Sequence, residues 1–214
     1  MANYAALKLE RERFGVFRLI YRIAMDRLSG FVQLYQIHSR NLASGAVPEP
    51  TPARVGWATH QELMQASGEI PSDLSPEFVR TSLARGDRCL AAFIDNKLVS
   101  FGWRAYTDTP HVDGVWISFR PGYRYGYKSF TRPEYRGRHI LDPKYSDKSD
   151  VDRGIRYSVG FVASHNFPSK FREKRIGSNI IHGHAGYFTL CGKFIFFHSP
   201  GVKRIGFEFY LPSS

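Results

Sequence analysis

Three tyrosines alternate along YRYGY, residues 123–127, and the basic stretch FTRPEYRGRHI begins at Phe130. In an extended chain, alternate side chains point to one side, so Tyr123, Tyr125 and Tyr127 share a face. A phenol can donate a hydrogen bond, but it titrates near about 10 and is a weak base at neutral pH unless shifted. The ladder therefore reads either as a substrate-lining surface, with Tyr125 and Tyr127 as candidate proton-handling groups, or as cross-strand packing. In the basic stretch, Arg132, Arg136, Arg138 and His139 surround Gly137. Such a turn suits a phosphate cradle, a nucleic-acid patch or a solvated loop.

Charge supports an anionic partner. The 214 residues carry 30 Lys and Arg against 19 Asp and Glu, a net charge of +11. Residues 120–140 hold six basic residues and one acid, and residues 170–175 hold four and one. Polyanions, anionic lipid surfaces and phosphate-bearing cofactors fit that balance. A hydrophobic content of 43% excludes wholesale disorder. Cys89 and Cys191 lie in apolar, strand-like runs without a CxxC pattern and are expected as buried thiols in a reducing compartment. No signal peptide or membrane-spanning run is read, so a cytoplasmic location is expected. There is no Gly-x-Ser-x-Gly elbow, P-loop or dinucleotide fingerprint. His182-x-His184 lacks a third ligand nearby in sequence, so no metal is expected.

These groups need elements to hold them. Residues 5–28 show helical spacing, and FVQLYQIHS reads as a strand. The Pro-rich run ASGAVPEPTP divides an N-terminal helix–strand extension, residues 1–50, from a domain at 51–214. Beyond it come the strand ARVGWA and two helices. Thr59 and Glu62 form a capping box for the first helix, and Ser75 with Pro76 starts the second. The strands RCLAAFID and KLVSFGWRAY flank an Asp95-Asn96 turn. VWISF and YRYGYKSFT follow as strands. Residues 138–153 read as a weak helix, YSVGFVAS as a strand and SKFREKRIG as a basic helix. Three last strands are IIHGHAGYFTL, KFIFFHS and RIGFEFYL. A helix between strands requires a parallel pair and hairpins require antiparallel ones, so the expected class is α+β, layered α/β/α, with a mixed, mostly antiparallel sheet.

This order resembles the GCN5-related N-acetyltransferase (GNAT) fold. FTRPEYRGRHI is similar to the family's central motif, a strand followed by a loop that opens a helix, Arg/Gln-x-x-Gly-x-Gly/Ala. Arg136 matches that pattern, whereas His139 and Leu141 stand where the family usually has small residues. VASHNFPSKFREKRIG is similar to a later strand and helix, with Asn166, Ser169 and Gly177 at the family's spacing. The resemblance covers residues 53–210. It implies an acyl-CoA-dependent N-acyltransferase, using acetyl-CoA or another acyl-CoA as co-substrate. The amides and side chains of Arg136, Gly137, Arg138, His139 and Ile140 would hold the coenzyme A pyrophosphate at a helix N-terminus. Phe130 and Thr131 would bond the pantetheine arm, and Asn166, Ser169 and Lys170 would line the opposite wall.

The acceptor would be a primary amine on a small molecule or amino sugar, acylated by direct transfer. A base is needed, yet residues 115–131 contain no Asp or Glu. His165, at the end of its strand, and His111 or Asp113 acting through water, are candidates. Glu173 stands where the family carries its usual Tyr acid. Two other classes stay open: a basic, aromatic nucleic-acid-binding module, and a GNAT-like fold that binds ligand without catalysis. An acyl carrier protein would suit the positive charge as donor. The N-terminal helix would dock on the domain, on a homodimer partner or on a membrane surface.

Overall fold

A computed structural model of the chain describes residues 12, 15–44, 47, 48, 50–70, 72–112, 114–175 and 179–212. Its apolar and aromatic runs form one eight-stranded sheet and one three-stranded sheet. The chain opens with α1 (Val16–Leu28) and β1 (Val32–Asn41). Next come β2 (Arg54–Trp57), α2 (His60–Ser67), α3 (Pro76–Ala84), β3 (Arg88–Ile94) and β4 (Lys97–Ala105). Then follow β5 (Thr109–Pro110), β6 (Trp116–Ser118), β7 (Tyr123–Thr131), α4 (Asp147–Asp152), β8 (Tyr157–Ala163) and α5 (Phe167–Arg175). The chain closes with β9 (Asn179–Leu190), β10 (Lys193–His198), α6 (Pro200–Arg204) and β11 (Glu208–Tyr210).

Local chemistry accounts for many boundaries. The Thr59 hydroxyl accepts from the Glu62 amide while the Glu62 carboxylate accepts from the Thr59 amide, which satisfies two free donors of α2. Ser75 caps α3 by accepting from the Phe78 amide, with Pro76 in the first turn. Asp95 and Asn96 both take positive φ, 49° and 60°, as a tight two-residue hairpin turn requires.

The large sheet runs β10-β9-β1-β8-β7-β4-β3-β2, and the small one β11-β6-β5. VWISF thus belongs to the second sheet, which covers the aromatic face of the first through Ile117, Phe207 and Phe209. β1 comes from the segment ahead of residue 51, yet it sits inside the large sheet. It pairs antiparallel with β8 on one side and with β9 on the other. Leu34 of β1 lies opposite Gly186 of β9, where a Cβ would fall 2.0 Å from the Gln33 carbonyl oxygen. Only a glycine lets these strands approach so closely.

Two cores share that aromatic face. One gathers Tyr35, Ile37, Tyr125 and Val159 with the small sheet; the other packs Leu63, Val79, Phe101 and Trp103 under α2 and α3. Tyr127 packs against both. A third, smaller core joins Ala92 and Val99 to Ile140.

The run SDKSDVD competes poorly for a long helix, and only Asp147–Asp152 is α-helical, after a 3₁₀ turn at Pro143–Ser146. Ion pairs hold this short helix. Arg40 pairs with Asp147, and Arg124 pairs with both Asp147 and Asp150. Arg40 and Arg124 both lie opposite Ser158 of β8, so Asp147 bridges β1 and β7 over the strand between them. Cys89 is buried, but Cys191 is exposed in the β9–β10 turn at φ 49°, which corrects the expectation of two buried thiols. No helix among the described residues is long and apolar enough to cross a membrane.

Candidate functional site

β7 and β8 are the one parallel pair among the described residues, and they pair only at Tyr123/Tyr157, Arg124/Ser158 and Tyr125/Val159. Beyond Tyr125 and Val159 the two strands part. β7 carries a bulge there: Tyr127 faces Trp103 and Ser129 faces Gly102, leaving Lys128 between them at φ 42°. A bulge bends its strand and sharpens its twist, which turns β7 away from β8. Pairing thus stops after three rows, which makes the space between the outer half of β7 and the end of β8 the candidate cleft. One wall is the outer half of β7, with Phe130 and Thr131 at its end; the other is the end of β8 and the start of α5.

The basic loop closes the β7 wall. Arg136 donates from Nε to the Thr131 carbonyl at 3.1 Å, and Arg138 lies 5.7 Å from the Tyr135 ring. Arg136, Gly137, Arg138 and His139 are exposed, and Gly137 and His139 have φ of 77° and 52°. Ile140 is buried against Ala92 and Val99 and anchors the loop to the sheet. The loop does not open the helix that the sequence led us to expect there. Two left-handed residues and the burial of Ile140 carry the chain away from a helical course, and the Asp142 carboxylate accepts from the Lys144 amide to start a 3₁₀ turn instead. The amides of residues 136–141 are therefore loop amides, not the free first turn of a helix.

On the opposite wall, the Asn166 side chain accepts from the Ser169 amide at 3.1 Å. This Asn thus caps the start of α5. Lys170 donates to the Ser164 carbonyl at 3.3 Å. α1 reaches the same corner: the Tyr21 and Ser164 hydroxyls are 2.7 Å apart, and His165 Nε2 lies 3.3 Å from Asp26.

The three candidates for proton handling are dispersed. Tyr125 is 5% exposed and stacks on Tyr127 and Phe161. Burial pushes its pKa well above the ordinary value, and it serves as a packing residue. His165 is six residues beyond Val159, up to about 20 Å from the last paired row at strand rise, while Tyr127 is only two residues past Tyr125. His165 thus lies in the turn after β8, whereas Tyr127 lies within β7 beside its bulge. His111 packs within the aromatic core, 3.2 Å from the Tyr35 hydroxyl. Asp113 and Gly177 lie outside the described residues, as does the side chain of Glu173. His182 is the extra residue in a β1–β9 irregularity, and its Nε2 lies 2.7 Å from the Ser39 hydroxyl. No group of three metal-binding side chains occurs among the described residues.

A carboxylate missing from the sequence reading lies beside Tyr127. The Tyr127 hydroxyl donates to Asp87 Oδ2, and Arg85 Nη2 donates to both Asp87 Oδ2 and the Tyr127 oxygen. The Asp87 side chain is fully shielded from solvent. Burial, chiefly, raises its pKa above the ordinary carboxylate value, and the bonds from Tyr127 and Arg85 oppose that rise. Its Oδ1 has no hydrogen-bond partner among the described residues. Asp87 and Tyr127 are 40 residues apart in the chain, so no local motif announces the pair.

No family model and no curated protein matches the sequence. Solved structures that it is similar to include a functionally unknown conserved protein from Staphylococcus epidermidis, at 10% identity, 78% of this chain, 64% of that chain and a TM-score of 0.45. A putative acetyltransferase from the GNAT family of Novosphingobium aromaticivorans aligns at 16% identity over 72% of this chain and 61% of that one, with a TM-score of 0.47. The glucosamine N-acetyltransferase region of a fungal multi-domain GH3 β-N-acetylglucosaminidase aligns at 14% identity over 84% of this chain and 23% of that one, with a TM-score of 0.49. The chain thus spans under two thirds of the length of each of these three proteins. Likenesses this distant carry no weight for what the chain does.

Proposed function

We propose that the chain is an acyl-CoA-dependent N-acyltransferase, moving an acetyl group from acetyl-CoA to the primary amine of a small molecule or amino sugar. The observation that carries this reading is the parting of β7 from β8 after three paired rows. Parted parallel strands leave backbone donors and acceptors of both walls without strand partners in the gap. A pantetheine arm, with its two amides, is an extended chain that can pair with such an edge, much as a peptide adds to a sheet.

The walls suit the rest of that substrate. Arg136 and Arg138 are exposed at the mouth, and Lys170 lies on the other side, so cations flank the place where a pyrophosphate would emerge. Loop amides at Gly137 and His139, between residues of alternating backbone hand, add donors to such a nest. The thioester would lie deeper, toward Tyr127 and the bulge at Lys128. No side chain is needed as a covalent carrier: the acceptor nitrogen attacks the thioester carbon directly, the carbon–sulfur bond breaks, and coenzyme A leaves as the thiol.

One observation favours a second reading, a GNAT-like fold that binds ligand without catalysis. The Tyr125 and Phe161 rings stack 5.6 Å apart, bridging the two strands where they part. If those rings fill the acceptor's approach, the cofactor binds and no amine is acylated.

Calorimetric titration of the full chain with acetyl-CoA, followed by thiol release across a panel of amines, tests both. Saturable binding with turnover is expected. Binding without turnover supports the second reading. An absence of acetyl-CoA binding, with steeply salt-dependent binding of a single-stranded oligonucleotide, overturns both in favour of a nucleic-acid module.

A further inference from the structure

Acyl transfer to an amine requires a proton acceptor, and β7 itself supplies no carboxylate. We propose that Asp87 is the proton acceptor of this reaction and works through Tyr127: the phenol takes a proton from the attacking amine as it passes its own to the carboxylate. The inference rests on the acyltransferase reading above and adds the proton path that reading lacks.

Tyr127 stands about 7 Å past the last paired row at strand rise, next to the bulge that opens the cleft. It is half-buried, its ring lies against Tyr125, Trp103 and Phe78, and its hydroxyl turns to Asp87. His165, in the turn after β8, is engaged elsewhere, with its Nε2 3.3 Å from Asp26.

The Tyr127 hydroxyl proton is already committed to Asp87 Oδ2, and the Arg85 guanidinium holds both oxygens from one side. Arg85 fixes the carboxylate's orientation and balances its charge, while Ser82 Oγ lies 3.3 Å from the phenol oxygen. These are the polar side chains recorded on the pair: Ser82 and Arg85 from α3 and its end, and Tyr127 from β7. Lys128, the neighbouring cation, is turned to the Phe78 ring, 4.1 Å away. The second carboxylate oxygen is buried and without a hydrogen-bond partner among the described residues. Asp87 therefore carries fewer hydrogen bonds to stabilise its charged form than a fully bonded ion-pair carboxylate does.

Acidity is the supporting argument. Burial makes the carboxylate more basic than usual, and a base nearer to neutral pKa is the more effective one. Tyr127 alone would be ineffective, because burial and then Asp87 hold its pKa above the usual phenol value. Concerted transfer removes that difficulty, since the phenol gains one proton as it loses another and no free phenolate forms.

An acceptor that arrives as an ammonium releases one proton to water. The neutral nitrogen attacks the thioester carbon, forming the carbon–nitrogen bond as the carbon–sulfur bond breaks. The surplus proton on nitrogen passes to Tyr127 Oη, and the original phenol proton passes to Asp87 Oδ2. Running in reverse, the relay returns a proton to the departing sulfur, so the products are the amide and the thiol and the protein is unchanged.

The test measures thiol release from acetyl-CoA by the full chain, with glucosamine, spermidine and tryptamine as acceptors. Wild type, Asp87→Asn and Tyr127→Phe are compared for kcat, KM, pH profile and acetyl-CoA affinity. Both substitutions should lower kcat at least about 100-fold, the low end for a general base, with acetyl-CoA affinity within about two-fold. The acidic limb of the wild-type profile should vanish in Asp87→Asn, a change that a purely structural role would not produce. Retention of kcat within about three-fold by Tyr127→Phe, which keeps the ring and its packing, overturns the relay even if Asp87→Asn fails to fold. An unchanged acidic limb in a folded Asp87→Asn also overturns it. If the wild type acylates none of the amines, the relay falls for want of a reaction; if it also fails to bind acetyl-CoA, the parent reading falls with it. An active wild type with active variants sinks the relay alone.

Discussion

Arg124 and Asp150 are ion-paired with neither side chain exposed to solvent. Asp150 also accepts from the Tyr106 hydroxyl at 2.8 Å, and Arg124 reaches on to Asp147. The pair ties α4 to β7 at the last rows where β7 meets β8. Removing Asp150 leaves two buried guanidiniums, Arg40 and Arg124, to share the one carboxylate of Asp147. Asp150→Asn should therefore cost about 3–5 kcal/mol of stability, read from urea unfolding. A loss below about 1 kcal/mol, the range of a surface pair, would show that the pair is solvated.

Gly186 is the second place where one substitution is decisive. The Cβ of an alanine would meet the Gln33 carbonyl oxygen at 2.0 Å, and a backbone atom cannot swing aside as a side-chain tip can. Gly186→Ala should lower stability by about 2 kcal/mol or more, as overpacking with backbone displacement does. A thermal midpoint unchanged from wild type would contradict the β1–β9 register.

A chain beginning at residue 51 lacks β1, the strand shared by β8 and β9. It should show no cooperative thermal transition by circular dichroism and poor dispersion of amide resonances. A folded 51–214 fragment would mean that β8 and β9 can pair directly.

The loop offers a backbone test. His139 has φ 52°, where a Cβ costs about 1–2 kcal/mol. Glycine relieves that cost but gives back some entropy to the unfolded chain. His139→Gly should therefore be more stable than His139→Ala by about 1 kcal/mol. The opposite order would place the residue in ordinary backbone. Tighter acetyl-CoA binding by His139→Gly would further indicate that the imidazole crowds the phosphate nest.

Stability should fall on mild acidification. Burial, and then the charge of His38, lowers the His182 pKa from 6.5. His184 and His198 are lowered too, each chiefly by burial. Below the unfolded value the unfolded chain takes up protons that the folded chain refuses, so folding is disfavoured as pH drops. The urea midpoint should be lower at about pH 5.5 than at about pH 7.5, and replacing His182 by Gln should shrink the difference. A midpoint that rises on acidification would refute the sign.

Local features were legible in the sequence because each is decided within a few residues. The Thr59–Glu62 capping box, the Ser75 cap and the Asp95-Asn96 turn all act over short spans. The parallel pair was legible from a helix between two strands. The insertion of β1 between β8 and β9 was not, because strand order is set by pairings more than a hundred residues apart. The helix expected near residue 138 begins later because Ile140 has a better use, against Ala92 and Val99, than in a helix turn. Asp87 was not legible as a base because its partner Tyr127 lies 40 residues away, and the carboxylate arrives from the end of α3 rather than from the strand of tyrosines. The pairing of Arg40 and Arg124 with Asp147 and Asp150 was not legible, since nothing local marks charges as partners across a sheet.

The placement of β1 has a consequence for synthesis. Its two neighbours, β8 and β9, are made more than a hundred residues later. As the chain leaves the ribosome, Val32–Asn41 must wait with both hydrogen-bonding edges open, while β2, β3 and β4 can already zip together by hairpins. Such distant pairing is slow and leaves a sticky edge exposed to other chains. A molecule with this topology should therefore refold in a late, concentration-sensitive phase, and nascent chains halted before β8 should be the ones that recruit chaperones.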